Sequence, residues 1–326
     1  MTTPQKNTDF PWLVADIGGT NARFGLVRSL GAEASDIETI LVTNHAGLTD
    51  AVAYYLRGKG VQPQHAAMAV ATPVRGDLVQ FTNSPWSFSC AQTQVALKLT
   101  TFIVLNDFEA LALALPRLAP TQLQVVRGAI VPSGTLAVVG PGTGLGVAGV
   151  VHSPHGWVSI PGEGGHATIS AYDDFEHALL KHLHQNFAHV SGERLLSGIG
   201  LPTLYAGVGA VLGKNALLQN AKDIVAAGLT ASDAVADRTL DVFCAMLGSF
   251  CGNTVLTLGA RSGLFIGGGI VPRLGARFTQ SQFLARFEAK GRFQPYLAAV
   301  PIAVITDTLA ALTGAAFAIE QNGAQV

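Results

Sequence analysis

The sequence predicts an α/β protein made of two domains that repeat one half-fold, and three observations carry the prediction. A glycine-rich turn, Asp16-Ile17-Gly18-Gly19-Thr20-Asn21, is entered from the apolar run Trp12-Leu13-Val14-Ala15 and left by a second strand-like run over 22–27. The pattern returns at Gly140-Pro141-Gly142-Thr143-Gly144-Leu145-Gly146, entered from 135–139 and left over 147–151. The composition is 49% hydrophobic and only 13% charged over 326 residues, enough apolar material for two well-buried domains and too little charge for a disordered chain. Each turn lies between two strands, so each is predicted to close a β-hairpin whose glycines let backbone N–H groups gather round an anion. A dinucleotide-binding or Walker-type loop would lead into a helix instead. Two such turns in similar halves suit one polyphosphate held between them, which points to a kinase.

The elements follow in order. Short strands are predicted at 13–16, 23–28 and 37–43, then a helix over 48–58 with Thr49 and Asp50 near its start. The small-residue run 65–71 is a strand, and after the Pro73-Val74-Arg75-Gly76-Asp77 turn the run 78–81 is expected to pair with it. Residues 101–105 form a buried, parallel-type strand, and 108–115 a helix stopped by Pro116. Strands at 136–139, 146–151 and 156–160 repeat the opening pattern. The stretch 172–275 is mostly helical, with long periodicity over 232–258 and Ser232 as its N-cap. A strand at 264–266 runs into Gly267-Gly268-Gly269, and a strand at 302–305 precedes an Ala/Leu-rich helix over 308–319.

A net charge of −1 gives no footprint for nucleic acid or an anionic membrane. Apolar runs such as 105–118 are broken by Asn106, Asp107, Glu109, Pro116 and Arg117, and no membrane span is expected. The polar start, 1–9, lacks the apolar core of a signal peptide. Cys90, Cys244 and Cys251 form no C-x-x-C pair and are expected to be reduced thiols. The expected setting is soluble and cytoplasmic.

Several side chains carry two readings each. Asp16 ends a strand beside Gly18-Gly19; a carboxylate there repels phosphate unless a cation intervenes, which suits Mg²⁺ held through water, but a turn aspartate bonding backbone N–H groups fits the same position. Asn106-Asp107 stands between a strand and a helix, where Asn and Asp are ordinary N-caps and where a carboxylate could also take a proton in phosphoryl transfer. Glu163 and His166 sit among glycines in Pro161-Gly162-Glu163-Gly164-Gly165-His166; they are either loop residues or partners for vicinal hydroxyls. Gly18, Gly19, Thr20, Asn21, Gly142, Thr143 and Gly144 are the candidate phosphate donors. His166, His177, His182, His184 and His189 crowd one stretch, but no H-E-x-x-H or cysteine-rich partner accompanies them, so structural zinc is rejected in favour of an exposed helix face.

Taken together the motifs resemble the bacterial glucokinases of the actin-like (ribonuclease-H-like) ATPase superfamily. The matching segments are L-V-A-D-I-G-G-T-N-A-R-F-G-L-V at 13–27, L-N-D-F-E-A-L-A at 105–112, V-V-G-P-G-T-G-L-G at 138–146, P-G-E-G-G-H-A-T at 161–168, S-G-E-R-L-L-S-G at 191–198 and L-F-I-G-G-G-I-V-P at 264–272. They run in the family's order over nearly the whole chain. The related ROK kinases pair a similar E-x-G-H motif with a cysteine-rich zinc loop, and none follows His166. The resemblance implies a duplicated ribonuclease-H-like fold: a small domain from 1 to about 110 closed by 308–326, a large domain over 111–307, and ligands in the cleft between them. It implies ATP-dependent phosphorylation of D-glucose at its 6-hydroxyl, with Asp107 as general base. It assigns the sugar to Asn106, Asp107, Glu163, His166 and Glu193, the last placed at a helix start, and the adenosine side to Gly267, Gly268 and Gly269. ATP and Mg²⁺ are the implied cofactors and a homodimer the implied assembly. Another hexose, a catalytically silent sugar sensor and a plain ATPase are the rival readings. The sensor's usual N-terminal helix-turn-helix has no room before Trp12, and Glu163, His166 and Glu193 argue against the ATPase.

Overall fold

The run 12–17 sorts its side chains by the two-residue period of a strand. Leu13, Ala15 and Ile17 enter one apolar cluster, and Trp12 and Val14 enter another. A strand buried on both faces belongs inside a sheet, and the computed structural model, which describes residues 9–81 and 84–323, places it there.

Along the chain come β1 (Trp12–Ile17), β2 (Asn21–Val27), β3 (Ser35–Leu41), α1 (Leu48–Leu56), β4 (His65–Val70), β5 (Leu78–Gln80), β6 (Ser87–Ser89), α2 (Cys90–Ala96), β7 (Thr101–Asn106) and α3 (Asp107–Ala114). Next are β8 (Leu123–Arg127), β9 (Thr135–Pro141), β10 (Leu145–Ser153), β11 (Gly156–Ile160), α4 (Asp174–Leu183), α5 (Leu201–Leu212), α6 (Ala221–Leu229) and α7 (Ala234–Leu258). The remainder is β12 (Gly263–Ile266), α8 (Ile270–Leu274), α9 (Ala276–Thr279), α10 (Phe283–Glu288), α11 (Gln294–Ala298), β13 (Ile302–Ile305) and α12 (Ala310–Asn322).

The chain divides into two compact units, one of Met1–Ala119, Val150–Pro161 and Asp307–Val326, the other of Pro120–Gly149 and Gly162–Thr306. The first unit's sheet has the order β3-β2-β1-β4-β7, with β1–β2 and β2–β3 antiparallel and β1–β4 and β4–β7 parallel. The other sheet runs β11-β10-β9-β12-β13-β8, and its β9–β12 and β12–β13 pairs are again parallel. The hairpin-then-parallel order is thus built twice, as the repeated turns predict, with β8 added antiparallel to β13.

In the first unit one face of the sheet packs on α1 through Ala51, Val52 and Tyr55, and the other packs on α12 through Leu312, Ala315 and Ile319. In α12 a Cβ on Gly314 would overlap the Ala110 carbonyl of α3, so glycine alone permits these two helices to lie this close. At the outer edge β3 is irregular: its register shifts between Phe24 and Leu26, and Asp36 has φ +53°. Asp36 there pairs with Arg28, and Glu38 with Lys59.

In the second unit the core forms around α7, which gives it Val235, Leu240, Phe243, Leu247, Phe250 and Val255 among others. This helix of 25 residues is apolar and long enough to cross a membrane, but 78% of its apolar window is buried inside the protein, so it is a core helix.

Several local expectations change. Residues 78–80 pair with β6, not with β4; β4 already has β1 and β7 on its two edges and offers no free ladder. Asp233, not Ser232, caps α7, its carboxylate accepting the Val235 and Ala236 N–H groups, both at 2.8 Å. Ser232 instead closes the turn after α6, its N–H on Ala227 O. The last helix starts at Ala310 rather than Thr308. Pro116 does follow the end of α3, inside a 3₁₀ turn over Leu115–Arg117. The three cysteines are free thiols, with Cys244 and Cys251 buried.

Candidate active site

In open sheets with parallel strands the loops at the carboxyl ends of the strands hold the ligands. Register places the candidates of the first unit there. Ile17 pairs with Val70 and Val70 with Asn106, so the 18–21 turn and the Asn106-Asp107 junction leave the same end of the sheet. The first turn closes a hairpin as predicted: Ile17 faces Ala22, and Gly18 N–H donates to Asn21 O at 2.9 Å. Among the described residues the Gly19 and Thr20 N–H groups have no protein acceptor, which leaves them for an anion.

Asp16 stands across the hairpin from Arg23, its carboxylate 4.0 Å from the guanidinium, which also donates to Thr308 O at 2.7 Å. Arg23 was overlooked in the sequence, although counting back across the four residues 18–21 would have placed it there. Burial raises the Asp16 pKa above the ordinary carboxylate value, and Arg23 partly opposes that shift.

Asn106 is the N-cap of α3, its Oδ1 accepting the Phe108 N–H at 3.0 Å and its Nδ2 donating to Thr72 O at 3.3 Å. The Asn106 amide also bonds the Asp107 carboxylate, which favours that group's ionised form. Asp107 also accepts the Phe108 N–H, at 2.9 Å. Burial nevertheless pushes its pKa up to about 6, and the nearby Asp16 charge adds to the rise, against the lowering effect of the Phe108 N–H. Capping and a raised pKa therefore coexist in the Asn106-Asp107 pair.

In the second unit the same logic of strand ends holds. Val139 pairs with Ile266, so the 142–144 turn and the Gly267-Gly268-Gly269 turn leave one end of the sheet together. Gly268 has φ +74°, and a Cβ on it would strike Pro141 O and lie 2.9 Å from Gly142 N. Both conformation and space demand glycine, so the triplet braces the phosphate-type turn. A second brace was not foreseen: Gly198 N–H donates to Gly142 O at 2.8 Å and Ile199 N–H to Thr143 O at 3.1 Å. Gly142 N–H is spent on Gly144 O at 2.9 Å, while Thr143 and Gly144 N–H have no protein acceptor among the described residues.

Directly after this turn the polar candidates gather. His166 Nε2 lies 4.0 Å from a Glu163 carboxylate oxygen and 3.8 Å from one of Glu193. Glu163 bridges to Val147 of β10, and Glu193 N–H donates to Gly165 O at 2.8 Å. A Cβ on Gly165 would overlap Leu145 O, which explains a glycine in this loop. Glu193 is not at a helix start as expected; it sits in a run of turns before α5, held by its bonds to the 163–168 loop. Its Oε2 accepts the Leu145 N–H at 2.9 Å. His166 and Glu163 are more than half exposed and Glu193 is 23% exposed, so the three present two carboxylates and an imidazole to solvent in one small area. Such a set suits a polyhydroxylated ligand.

The histidines farther on are engaged locally. The His177 ring is 2.8 Å from Asp173 O, that of His184 is 3.2 Å from Phe187 O, and that of His189 is 3.0 Å from Thr168 Oγ1. No group of three or more His, Cys, Asp or Glu side chains among the described residues could hold a metal ion.

Comparison with known proteins bears on the whole arrangement. The sequence pattern of the Glucokinase family matches residues 13–322. A glucokinase of Neisseria gonorrhoeae is 43% identical over 320 residues, covering 98% of this chain and 97% of its own. The crystal structure of a glucokinase from an Antarctic psychrotroph superimposes with a TM-score of 0.89 at 37% identity, covering 95% of this chain and 98% of that one. A ROK-family glucokinase of Streptomyces griseus, solved with glucose and AMPPNP, shares the fold at a TM-score of 0.64 and 19% identity, over 94% of this chain and 98% of its own. A duplicated sheet order, two glycine turns between strands and full-length identity of this degree lead to one conclusion: the chain belongs to the glucokinase family, with the actin-like ATPase fold and the ATP-dependent phosphorylation of glucose that define it.

Proposed function

We propose that Asp107 is the general base that turns glucose into glucose 6-phosphate in this protein. The observation that carries the reading is its carboxyl pKa, raised to about 6 by burial: the group is ionised at neutral pH yet basic enough to take a proton in the transition state. As the 6-oxygen attacks the γ-phosphorus, its proton passes to Asp107, the bond to the bridging oxygen breaks, and that bond's electrons leave on ADP. Asn106 meets a neighbouring hydroxyl with its side-chain amide. Glu163, His166 and Glu193 hold further hydroxyls of the sugar, each carboxylate accepting and the imidazole donating or accepting.

Backbone N–H groups of Gly19, Thr20, Thr143 and Gly144 meet the phosphates, with Gly18, Asn21 and Gly142 shaping the turns and Gly267, Gly268 and Gly269 on the adenosine side. The Streptomyces griseus relative's complex with AMPPNP and glucose supports ATP as donor and glucose as acceptor. Asp16 fits Mg²⁺. It is a hard oxygen donor whose charge is disfavoured by its surroundings and which adds to the cost of ionising Asp107, and a cation relieves both. With few protein carboxylates at hand the ion would keep waters and take phosphate oxygens, its usual habit; bound there, it supplies charge neutralisation at the phosphates. The cytoplasmic setting, the homodimer, and the division into 1–110 plus 308–326 and 111–307 belong to the same reading.

The test is ADP release with Mg-ATP against a panel of hexoses and a no-sugar control. Release with glucose and not without sugar is expected; equal release without sugar would favour an ATPase, and silence throughout would point to a sensor or an untested substrate. A pH series adds a second expectation. Protonation removes the base, so kcat/KM for glucose should be flat above about pH 7 and fall about tenfold per unit below about pH 6, tracking the Asp107 carboxyl. A profile flat down to pH 4.5 would remove Asp107 from the role.

A further inference from the structure

Glu193 occupies an unusual position for a residue assigned to a sugar. Its Oε2 accepts the N–H of Leu145, the residue that follows the 142–144 turn, at 2.9 Å. The same oxygen lies 2.5 Å from where a Cβ on Gly144 would be, so the carboxylate fills the space a side chain would take in the turn itself. The other oxygen faces His166 at 3.8 Å. Its backbone is pinned as well: Glu193 N–H donates to Gly165 O at 2.8 Å, and Glu193 O accepts from Ser197 Oγ at 2.7 Å. The Ser197 hydroxyl in turn receives the Gly200 N–H at 2.9 Å, at the far end of the segment whose Gly198 and Ile199 brace the turn. One carboxylate therefore touches the phosphate-type turn with one oxygen and the hydroxyl-binding group with the other, on backbone that holds both.

The electrostatic sign of this arrangement is adverse to a nucleotide. A carboxylate bonded to the backbone just past the turn places a negative charge beside the N–H groups meant for phosphate, and like charges a few ångströms apart in a partly desolvated site repel strongly. Hydroxyl groups that donate to a carboxylate disperse its charge and weaken that repulsion. We propose that Glu193 couples the two ligands: an empty sugar site leaves its full charge beside the turn and weakens phosphate binding there, and glucose, by donating hydroxyl hydrogens to the carboxylate, raises the affinity for ATP. Linkage makes the effect reciprocal, so ATP tightens glucose by the same factor. The enzyme thereby disfavours holding ATP without an acceptor, which limits wasteful hydrolysis. The proposal rests on the assignment of Glu193 to the sugar.

The experiment is calorimetric titration of Mg-AMPPNP into the full chain, with and without saturating glucose, for the native protein and for Glu193→Gln. Glutamine keeps the length, and its carbonyl can still accept the Leu145 N–H, so the turn keeps its support; an unchanged melting temperature checks this. In the native protein glucose should tighten AMPPNP by about 5- to 50-fold. In Glu193→Gln the sugar-free affinity should rise several-fold and glucose should change it less than about twofold. Equal coupling in the two proteins, absence of coupling in the native one, or weaker sugar-free AMPPNP binding in the variant would each overturn the proposal. Glucose affinity measured separately tells the two readings apart. A variant that binds glucose with the native Kd removes Glu193 from the sugar site altogether. One that binds glucose more weakly yet keeps full coupling leaves the sugar assignment standing and removes only the coupling.

Discussion

Replacing Asp107 by Asn should lower kcat by about 10²–10⁴ and at the same time make the protein harder to unfold. The first effect is the loss of the proposed proton acceptor, and glucose affinity should change far less, because Asn keeps the shape and one acceptor oxygen. The second follows from the sign of the pKa shift. A carboxyl raised from 3.8 to about 6 is one whose ionised form the folded state disfavours. The folded protein binds the proton more tightly than the unfolded chain does, so ionisation costs stability progressively as pH rises from about 3.8 to about 6, and the full cost is present above that. The neutral amide avoids it. At pH 7.5 Asp107→Asn should therefore gain about 1–3 kcal/mol, and the gain should vanish below about pH 4. Thermal melts of both proteins across that range, paired with turnover at pH 7.5, check the expectation. Near-native turnover, or a variant less stable at neutral pH, would contradict it. Such opposition between stability and activity is what a group held in an unfavourable environment for its chemistry should show.

Gly314→Ala is expected to produce the largest loss of stability of any single methyl addition in the first unit. The new Cβ would overlap the Ala110 carbonyl, which is backbone in the middle of α3 and cannot swing aside as a flexible side chain can. The helices must separate, opening the cluster of Trp12, Val14, Leu312, Ala315 and Ile319. A cost of about 2–4 kcal/mol is in line with overpacking against backbone, and the melting temperature should fall by several degrees. Turnover should fall as well, because α3 begins at Asp107 and its displacement moves the proposed base. Thr313→Ala, one residue away and half-buried, serves as control and should leave kcat near native. Equal melting temperatures for the two variants would show that the helices have slack there.

Much of the local geometry of the candidate site was legible because its residues declare themselves through local chemistry. Gly18-Gly19 and Gly142-Thr143-Gly144 stand between strands, and a hairpin turn was the only local structure that fits; both are found. Asn106-Asp107 stood before an apolar helix, and the cap was readable without any relative. Glu193 was not, since a carboxylate among turn residues has no periodicity to mark it, and its supports, Leu145 N–H and Gly165 O, are backbone groups invisible to a reading of side chains. The Gly198 and Ile199 brace escaped for the same reason. Arg23 escaped for a different one: it was read as a strand residue, and its place opposite Asp16 appears only when the hairpin register is counted. The misplaced pairing of 78–80 shows the limit from the other side. Adjacent strands in a sequence are expected to pair, but β4 had both edges taken by β1 and by β7, which lies 31 residues farther on, and only the assembled sheet reveals competition of that kind.

The irregular outer strand β3 also has a meaning for how copies of this protein meet. A straight, apolar edge with unpaired N–H and C=O groups invites another chain to add a strand. Here the edge carries Asp36 at φ +53°, a register slip beside it, and charges committed to Arg28 and Lys59. A neighbouring molecule would have to break those pairs and match a ladder that is out of step. The strand therefore works as a guard rail against edge-to-edge addition of another copy of this chain at β3.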